Sequence, residues 1–239
     1  MTNGLREILE SSQRIVFFGG AGVSTESGIP DFRSGGGLYS RDTGLNHPPE
    51  EVLSHSFFVG HTAEFFDYYR SHLLYPHARP NPAHLALARL EEAGRLTAVI
   101  TQNIDGLHQA AGSRTVLELH GSVHRNSCLR CGDAYGLATI TGSTGVPRCE
   151  CGGVIKPDVV LYEEALDEAV MDAAIEHLEA ADTMIVGGTS LVVYPAAGLV
   201  HAFGGERLVL INKEPTGMDH IATLVLHAAI GETLGAAVR

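Results

Sequence analysis

Four cysteines, Cys128, Cys131, Cys149 and Cys151, are all the thiols in this 239-residue chain. They fall as Cys-x-x-Cys, seventeen intervening residues, then Cys-x-Cys. Two such knuckles bring four thiolates to one tetrahedral ion, and their confinement to 24 residues predicts zinc rather than disulfides. Four protein ligands leave no open coordination position, so the ion is expected to be structural. Gly132, Gly152 and Gly153 stand where the knuckles turn. The second knuckle is one residue shorter than the usual Cys-x-x-Cys.

A second stretch carries chemistry of another kind. The apolar run 15–18 stops at Gly19, Gly20 and Gly22, and Ser24 and Thr25 follow as cap residues. A strand, a glycine turn and a helix N-terminus would lay a pyrophosphate on backbone N–H groups. The match to G-x-G-x-x-G is partial, because the third position is Thr25 and no second strand with an acidic residue follows about 20 residues on. Ile29-Pro-Asp-Phe-Arg33 instead places a carboxylate, an aromatic ring and a guanidinium just beyond the turn.

These groups need a scaffold, and the periodicity supplies one. Strands are expected over 15–18, 97–100, 115–119, 159–161, 183–186, 208–211 and 223–226, several of them continuous β-branched or Leu runs of the kind covered by helices on both faces. Helices are expected over 5–12, 63–74, 167–181 and 195–203, with another opened by Asn81 as N-cap and Pro82 at its first position and stopped at Gly94. Residues after the strands then share one sheet edge: Gly20, Gln102 to Asp105, His120, Gly188 to Ser190, and Asn212. Ligands of open parallel sheets bind at that edge, where the strand order reverses. The fold class is therefore α/β, a parallel sheet with helices on both faces, a helical insertion over 35–80 and a zinc ribbon over 123–155. The nucleotide-binding domain takes 1–34, 81–122 and 156–239.

Composition narrows the function. Apolar residues at 44% and charged residues at 18% fit a soluble enzyme. No apolar run reaches the length of a membrane span and the N-terminus lacks a signal-peptide pattern, so a cytoplasmic location is expected. A net charge of −12 argues against nucleic acid as a partner.

Gly20-Ala-Gly-Val-Ser-Thr-Glu-Ser-Gly-Ile-Pro-Asp-Phe-Arg33, Thr101-Gln-Asn-Ile-Asp-Gly-Leu-His108, Leu119-His-Gly121, the four cysteines, Gly188-Thr-Ser-Leu191 and Val193-Tyr-Pro-Ala-Ala197 closely resemble the sirtuins, NAD-dependent protein lysine deacylases, of bacterial type. The resemblance covers nearly the whole chain. It implies a cleft between a Rossmann-type domain and a small domain, NAD as a consumed co-substrate, one structural zinc, and an acylated lysine of a protein or peptide as substrate. Products are free lysine, nicotinamide and O-acyl-ADP-ribose, and the acyl oxygen itself attacks the nicotinamide ribose.

Carried over by motif, His120 is the general base, with Asn103 and Arg33 as further catalytic residues. Gln102 and Asn103 orient the nicotinamide ribose, Ile104 and Asp105 hold the carboxamide, and Phe32 shields the reactive carbon. Gly20, Ala21, Gly22, Thr25, Asp31, Gly188, Thr189, Ser190 and Asn212 complete the cofactor set, with Ile230, in the last loop, against adenine. Val160, Leu161, Tyr162 and Val193 take the peptide by strand pairing. The family usually reads Phe-Gly-Glu where this chain has Tyr162-Glu163-Glu164. Sirtuins that prefer succinyl or malonyl lysine carry Tyr-x-x-Arg on the insertion, where this chain has Phe66 and Tyr69, with Arg70 one residue out of register; acetyl or a longer neutral acyl group is expected. The chain is expected to act as a monomer.

Two other readings share these motifs: a mono-ADP-ribosyltransferase, which product analysis would separate, and a silent NAD or ADP-ribose binding module. The latter could dispense with His120, Asn103 and Asp105, and all three are present.

Overall fold

The computed structural model describes residues 2–40 and 44–238. Its strands are β1 (Ile15–Gly19), β2 (Leu96–Thr101), β3 (Val116–Glu118), β4 (Gly121–Cys128), β5 (Ala134–Tyr135), β6 (Ile155–Val159), β7 (Thr183–Gly187), β8 (Arg207–Ile211) and β9 (Leu224–Leu226). The helices are α1 (Thr2–Ser11), α2 (Pro49–Val52), α3 (His55–Gly60), α4 (Thr62–His72), α5 (Pro82–Glu92), α6 (Leu107–Ala110), α7 (Leu137–Thr141), α8 (Glu168–Ala180) and α9 (Ile230–Ala237). None of the described helices is long and apolar enough to cross a membrane.

Six strands form a parallel sheet in the order β3-β2-β1-β7-β8-β9. Counting only these strands in chain order, that is 3-2-1-4-5-6, the arrangement whose order reverses between its first and fourth members. Here the reversal falls between β1 and β7. Both faces are covered: Ile15 and Phe17 of β1 pack with α1, α5 and α9, while Val16 and Phe18 face α8 and the 3-10 helix Ala196–Ala202. Burial on both faces is why the inner strands β1, β7 and β8 read as nearly continuous apolar runs, while the edge strands β3 and β9 are half-buried. Asn81 caps α5 as expected, its side chain accepting from the Ala83 N–H at 2.9 Å, and Asp167 caps α8 in the same way.

Two expectations need correction. The strand expected over 159–161 does not join the large sheet. The strand is β6, upstream of it, paired antiparallel with β4 in a second sheet ordered β5-β4-β6. Pro157 removes a ladder donor, so the segment sits on an edge of that sheet. The glycine turn also does not open an α-helix. Two 3-10 turns follow it, Ala21–Val23 and Thr25–Ser27, and Ser24 makes no side-chain cap.

The small sheet and the insertion share one core. Phe57, Phe58, Phe65, Phe66 and Tyr69 of the insertion pack with Val123, Ile140, Ile155 and Val159. Arg70 fastens the two parts, its Nε donating to the Ile140 carbonyl at 3.0 Å and Nη2 to Ser143 Oγ at 2.9 Å.

Candidate active site and zinc ribbon

At the reversal point the loops after β1 and β7 touch backbone to backbone. The Gly22 N–H donates to the Gly188 carbonyl at 2.8 Å. A Cβ on Gly22 would lie 2.8 Å from Gly188 Cα, and one on Gly188, whose φ is +60°, would lie 2.3 Å from the Val23 nitrogen. The glycines are thus required first by the crossing of two loops, before any ligand is considered.

The crossing floors a cavity of about 790 Å³. From the β1 side it is lined by Gly20, Ala21, Gly22, Thr25, Asp31, Phe32 and Arg33, and from β2 by Gln102, Asn103, Ile104 and Asp105. His120 enters between β3 and β4. Gly188, Thr189, Ser190 and Val193 follow β7, Asn212 follows β8, and Val160, Leu161 and Tyr162 follow β6. Ile230 also lines it, though as the first residue of α9 and not in a loop; it is buried against Gly187, where a Cβ would meet its Cδ1. Every expected cofactor and substrate residue therefore borders one space.

Its polar groups are held by one another. His120 Nδ1 lies 3.0 Å from the Gln102 carbonyl, which can only accept, so the proton sits on Nδ1 and Nε2 carries the lone pair. Burial lowers the His120 pKa and the bond to Gln102 opposes part of that shift, leaving the ring neutral near pH 7. Ser24 Oγ donates to Asp105 Oδ2 at 2.6 Å and accepts from Asn103 Nδ2 at 3.1 Å. The Leu107 N–H reaches Asp105 Oδ1 at 2.9 Å. Burial nevertheless raises the Asp105 pKa, against the pull of those bonds. Gln102 Nε2 donates to Thr189 Oγ1 at 3.1 Å, and the Thr189 N–H to Asn212 Oδ1 at 2.9 Å. Asn212 Nδ2 is buried with no partner among the described residues, a donor left over for a ligand hydroxyl.

Ser24 and His124 belong to this constellation and are not among the expected site residues. Ser24 reads locally as a cap; its partners lie 79 and 81 residues away. His124 Nε2 donates to the Asp105 carbonyl at 3.0 Å, and its ring packs on Gly106, which takes φ +71°. Neither contact has a local sequence signal.

The stretch expected to pair with a peptide is partly occupied. The Val160 N–H donates to the His120 carbonyl, Leu161 N–H to Glu164 Oε2 and Tyr162 N–H to the Leu53 carbonyl, at 2.9, 2.9 and 3.0 Å. An added strand must therefore use carbonyls here, or the neighbouring residues, rather than these three donors. Glu163, at the position of the family's glycine, keeps a positive φ of +75°. The conformation costs a non-glycine residue about 1–2 kcal/mol. Its carboxylate offsets that by accepting from the Ser56 N–H at 2.9 Å and Oγ at 2.6 Å, which also lower its pKa.

The cysteines lie apart from the cavity. Their four Sγ atoms are all within 4.8 Å of one another, with Cys128–Cys151 and Cys131–Cys149 each at 3.5 Å. Four thiolates at the zinc–sulfur distance sit about 3.8 Å apart in a tetrahedron. The N–H groups of Arg130, Cys151 and Gly153 point at the sulfurs of Cys128, Cys149 and Cys151, each at 3.4 Å. Gly132 and Gly152 take φ of +77° and +84°, and a Cβ on Gly153 would lie 2.6 Å from Cys128 Sγ. Backbone donors aimed at sulfur favour thiolates, so this donor set fits a structural Zn²⁺, and the shortened second knuckle closes without disturbing it.

The model of the Sir2 family matches residues 20–195. The chain belongs to the Sir2 family. Among its relatives is an NAD-dependent protein deacetylase of Cutibacterium acnes, 59% identical over 97% of this chain and 95% of the relative. A solved Sir2 structure with p53 peptide and NAD+ superposes with a TM-score of 0.85 at 41% identity, covering 98% of this chain and 95% of that one. A Sir2 histidine-to-alanine variant, solved with deacetylated p53 peptide and 3′-O-acetyl ADP ribose, gives 0.89 at 40% identity, with 99% and 96% covered.

Proposed function

We propose that this sirtuin is an NAD-dependent protein lysine deacetylase that releases free lysine, nicotinamide and O-acyl-ADP-ribose. The observation that carries the reading is His120: a half-buried, neutral imidazole with Nδ1 fixed on the Gln102 carbonyl and Nε2 free to take a proton at the edge of the cavity. NAD, when bound, supplies a ribose carbon from which nicotinamide departs as the acyl oxygen of the substrate adds. The chain's own residues do the rest. His120 Nε2 accepts a proton from a ribose hydroxyl. Asn103 and Gln102, braced by Ser24 and Thr189, orient that ribose. Asp105 and Ile104 hold the carboxamide, with the Asp105 carboxyl fixed by the Ser24 hydroxyl and the Leu107 N–H. Gly20 to Gly22, Gly188 to Ser190 and Asn212 take the phosphates and the distal ribose, and Ile230 sits under the adenine. Phe32 and Arg33 cover the ribose end. Since the acyl oxygen is the nucleophile, no enzyme Ser or Cys is required.

Tyr69, Leu73, Leu137 and Val159 supply apolar lining on the small-domain side of the cavity, beside His72 and Arg79, while Arg70 is spent on Ile140 and Ser143. Acetyl and longer neutral chains are therefore favoured over succinyl or malonyl. The acidic surface, with 28 carboxylates against 16 Lys and Arg, fits basic protein segments rather than nucleic acid. The protein is read as a cytoplasmic monomer, which light scattering tests for mass.

His120→Ala tests the reading. Deacetylation of an acetyl-lysine peptide should fall by about 10²–10⁴, while ADP-ribose affinity measured by calorimetry stays within about threefold. Unchanged turnover would overturn the assignment. In the parent enzyme the acid limb of kcat/KM should lie below the ordinary histidine value of 6.5, because burial lowers the pKa of the base.

A further inference from the structure

At the far end of the loop that follows the glycine turn, Tyr39 meets both residues that cover the ribose end. Tyr39 donates its N–H to the Phe32 carbonyl at 2.8 Å. Its ring meets Phe32 edge-on at 5.4 Å, and the Arg33 guanidinium lies over it at 5.3 Å. One ring thus sets both residues that cover the ribose end. The hydroxyl of Tyr39 is hydrogen-bonded to the hydroxyl of Tyr162. Tyr162 is itself anchored through its backbone, its N–H on the Leu53 carbonyl and its carbonyl accepting from His55, each at 3.0 Å. It stands in the stretch read as the peptide site, at the position where the family usually has phenylalanine.

We propose that Tyr39 and Tyr162 are positioning residues whose joined hydroxyls couple the two substrates: an acyl peptide seated at Val160–Tyr162 steadies Tyr162, and through it the loop that places Phe32 and Arg33 on NAD. The inference rests on the deacetylase reading and deepens it. Among the described residues, this hydroxyl pair is the side-chain hydrogen bond that links the two loops. Losing either oxygen breaks that link, while a phenylalanine ring keeps every aromatic contact. Coupling of this kind is reciprocal, so the peptide must tighten the nucleotide by the factor with which the nucleotide tightens the peptide.

The test uses ADP-ribose, which cannot react, titrated calorimetrically into the full protein with and without saturating acetyl-lysine peptide. The parent protein should bind ADP-ribose about tenfold tighter in the peptide's presence. Tyr39→Phe and Tyr162→Phe should each bring that factor down to about two, as the loss of one exposed hydrogen bond allows. The double variant should do no more than either single one, since the bond is lost once. In Tyr39→Phe, KM for NAD should rise by a larger factor than kcat falls. Independent, additive effects of the two substitutions, a coupling factor unchanged in both, or no coupling in the parent protein would each overturn the proposal. These failures are distinct from failure of the deacetylase reading, which would show as absence of deacetylated peptide in the parent protein.

Discussion

The zinc ribbon and the cleft are built on opposite plans. The ribbon takes its four ligands from 24 consecutive residues, and its sulfurs are met by backbone donors of the knuckles themselves. The cleft takes its working groups from the ends of several strands and closes its network over separations such as the 87 residues between Gln102 and Thr189. A site made of local spacing stands or falls as a unit. A site made by a fold distributes its loss, so that single changes impair chemistry and spare structure.

The largest expected effect breaks the local site. Cys131→Ser, or zinc chelation, should remove one zinc per chain, melt the β4–β5–β6 module and abolish turnover, because metal binding of this sort supplies about 10–16 kcal/mol of apparent folding energy. Metal content, circular dichroism and activity would be read together; retained activity without zinc would contradict the structural role.

A second effect is global and depends on pH. His84 and His108 are buried side by side, rings 4.7 Å apart, and burial depresses their pKa values to about 4 and about 3. The folded state then holds fewer protons than the unfolded chain below the ordinary value of 6.5. Stability from these groups is complete above that value and is lost as pH falls through about 4 and 3, each tenfold loss of proton affinity being worth about 1.4 kcal/mol. Melting temperatures measured from pH 7 to 4 should fall, and His108→Phe should flatten the fall. An unchanged slope in that variant would remove His108 from the account.

The smallest effect sharpens the contrast at the loop crossing. Gly188→Ala places a Cβ 2.3 Å from the Val23 nitrogen at a φ of +60°. It should cost about 1–3 kcal/mol of stability and raise KM for NAD while zinc content stays at one per chain. A variant with an unaltered melting temperature and KM would show that the loops can part without loss.

Legibility in the sequence follows the same division. The cysteine ligands are readable from spacing alone. The large sheet is readable because β1, β2, β7 and β8 are almost wholly buried and mostly apolar, with Thr97 as the one polar residue inside them and Thr101, Thr183 and Arg207 at their ends. The edge strand β6, with Lys156, Pro157 and Asp158, hides behind the more apolar run that follows it. The 3-10 turns after Gly20 look like a helix start because Ser24 and Thr25 have cap chemistry, whereas the backbone there is drawn to Gly188 and the Ser24 hydroxyl to Asp105. The residues of the cleft are named through family motifs; the bonds that hold them, Ser24 to Asn103 and His124 to Asp105, depend on which loops the fold brings together.

The central claim is that this cleft moves an acyl group from lysine to ADP-ribose with the zinc held apart from the chemistry. The most direct measurement is mass spectrometry of an acetyl-lysine peptide incubated with the zinc-loaded protein and NAD. The account predicts free peptide, nicotinamide and O-acetyl-ADP-ribose in equal amounts. A peptide that keeps its acetyl group, whether unchanged or carrying an added ADP-ribosyl mass, would contradict it.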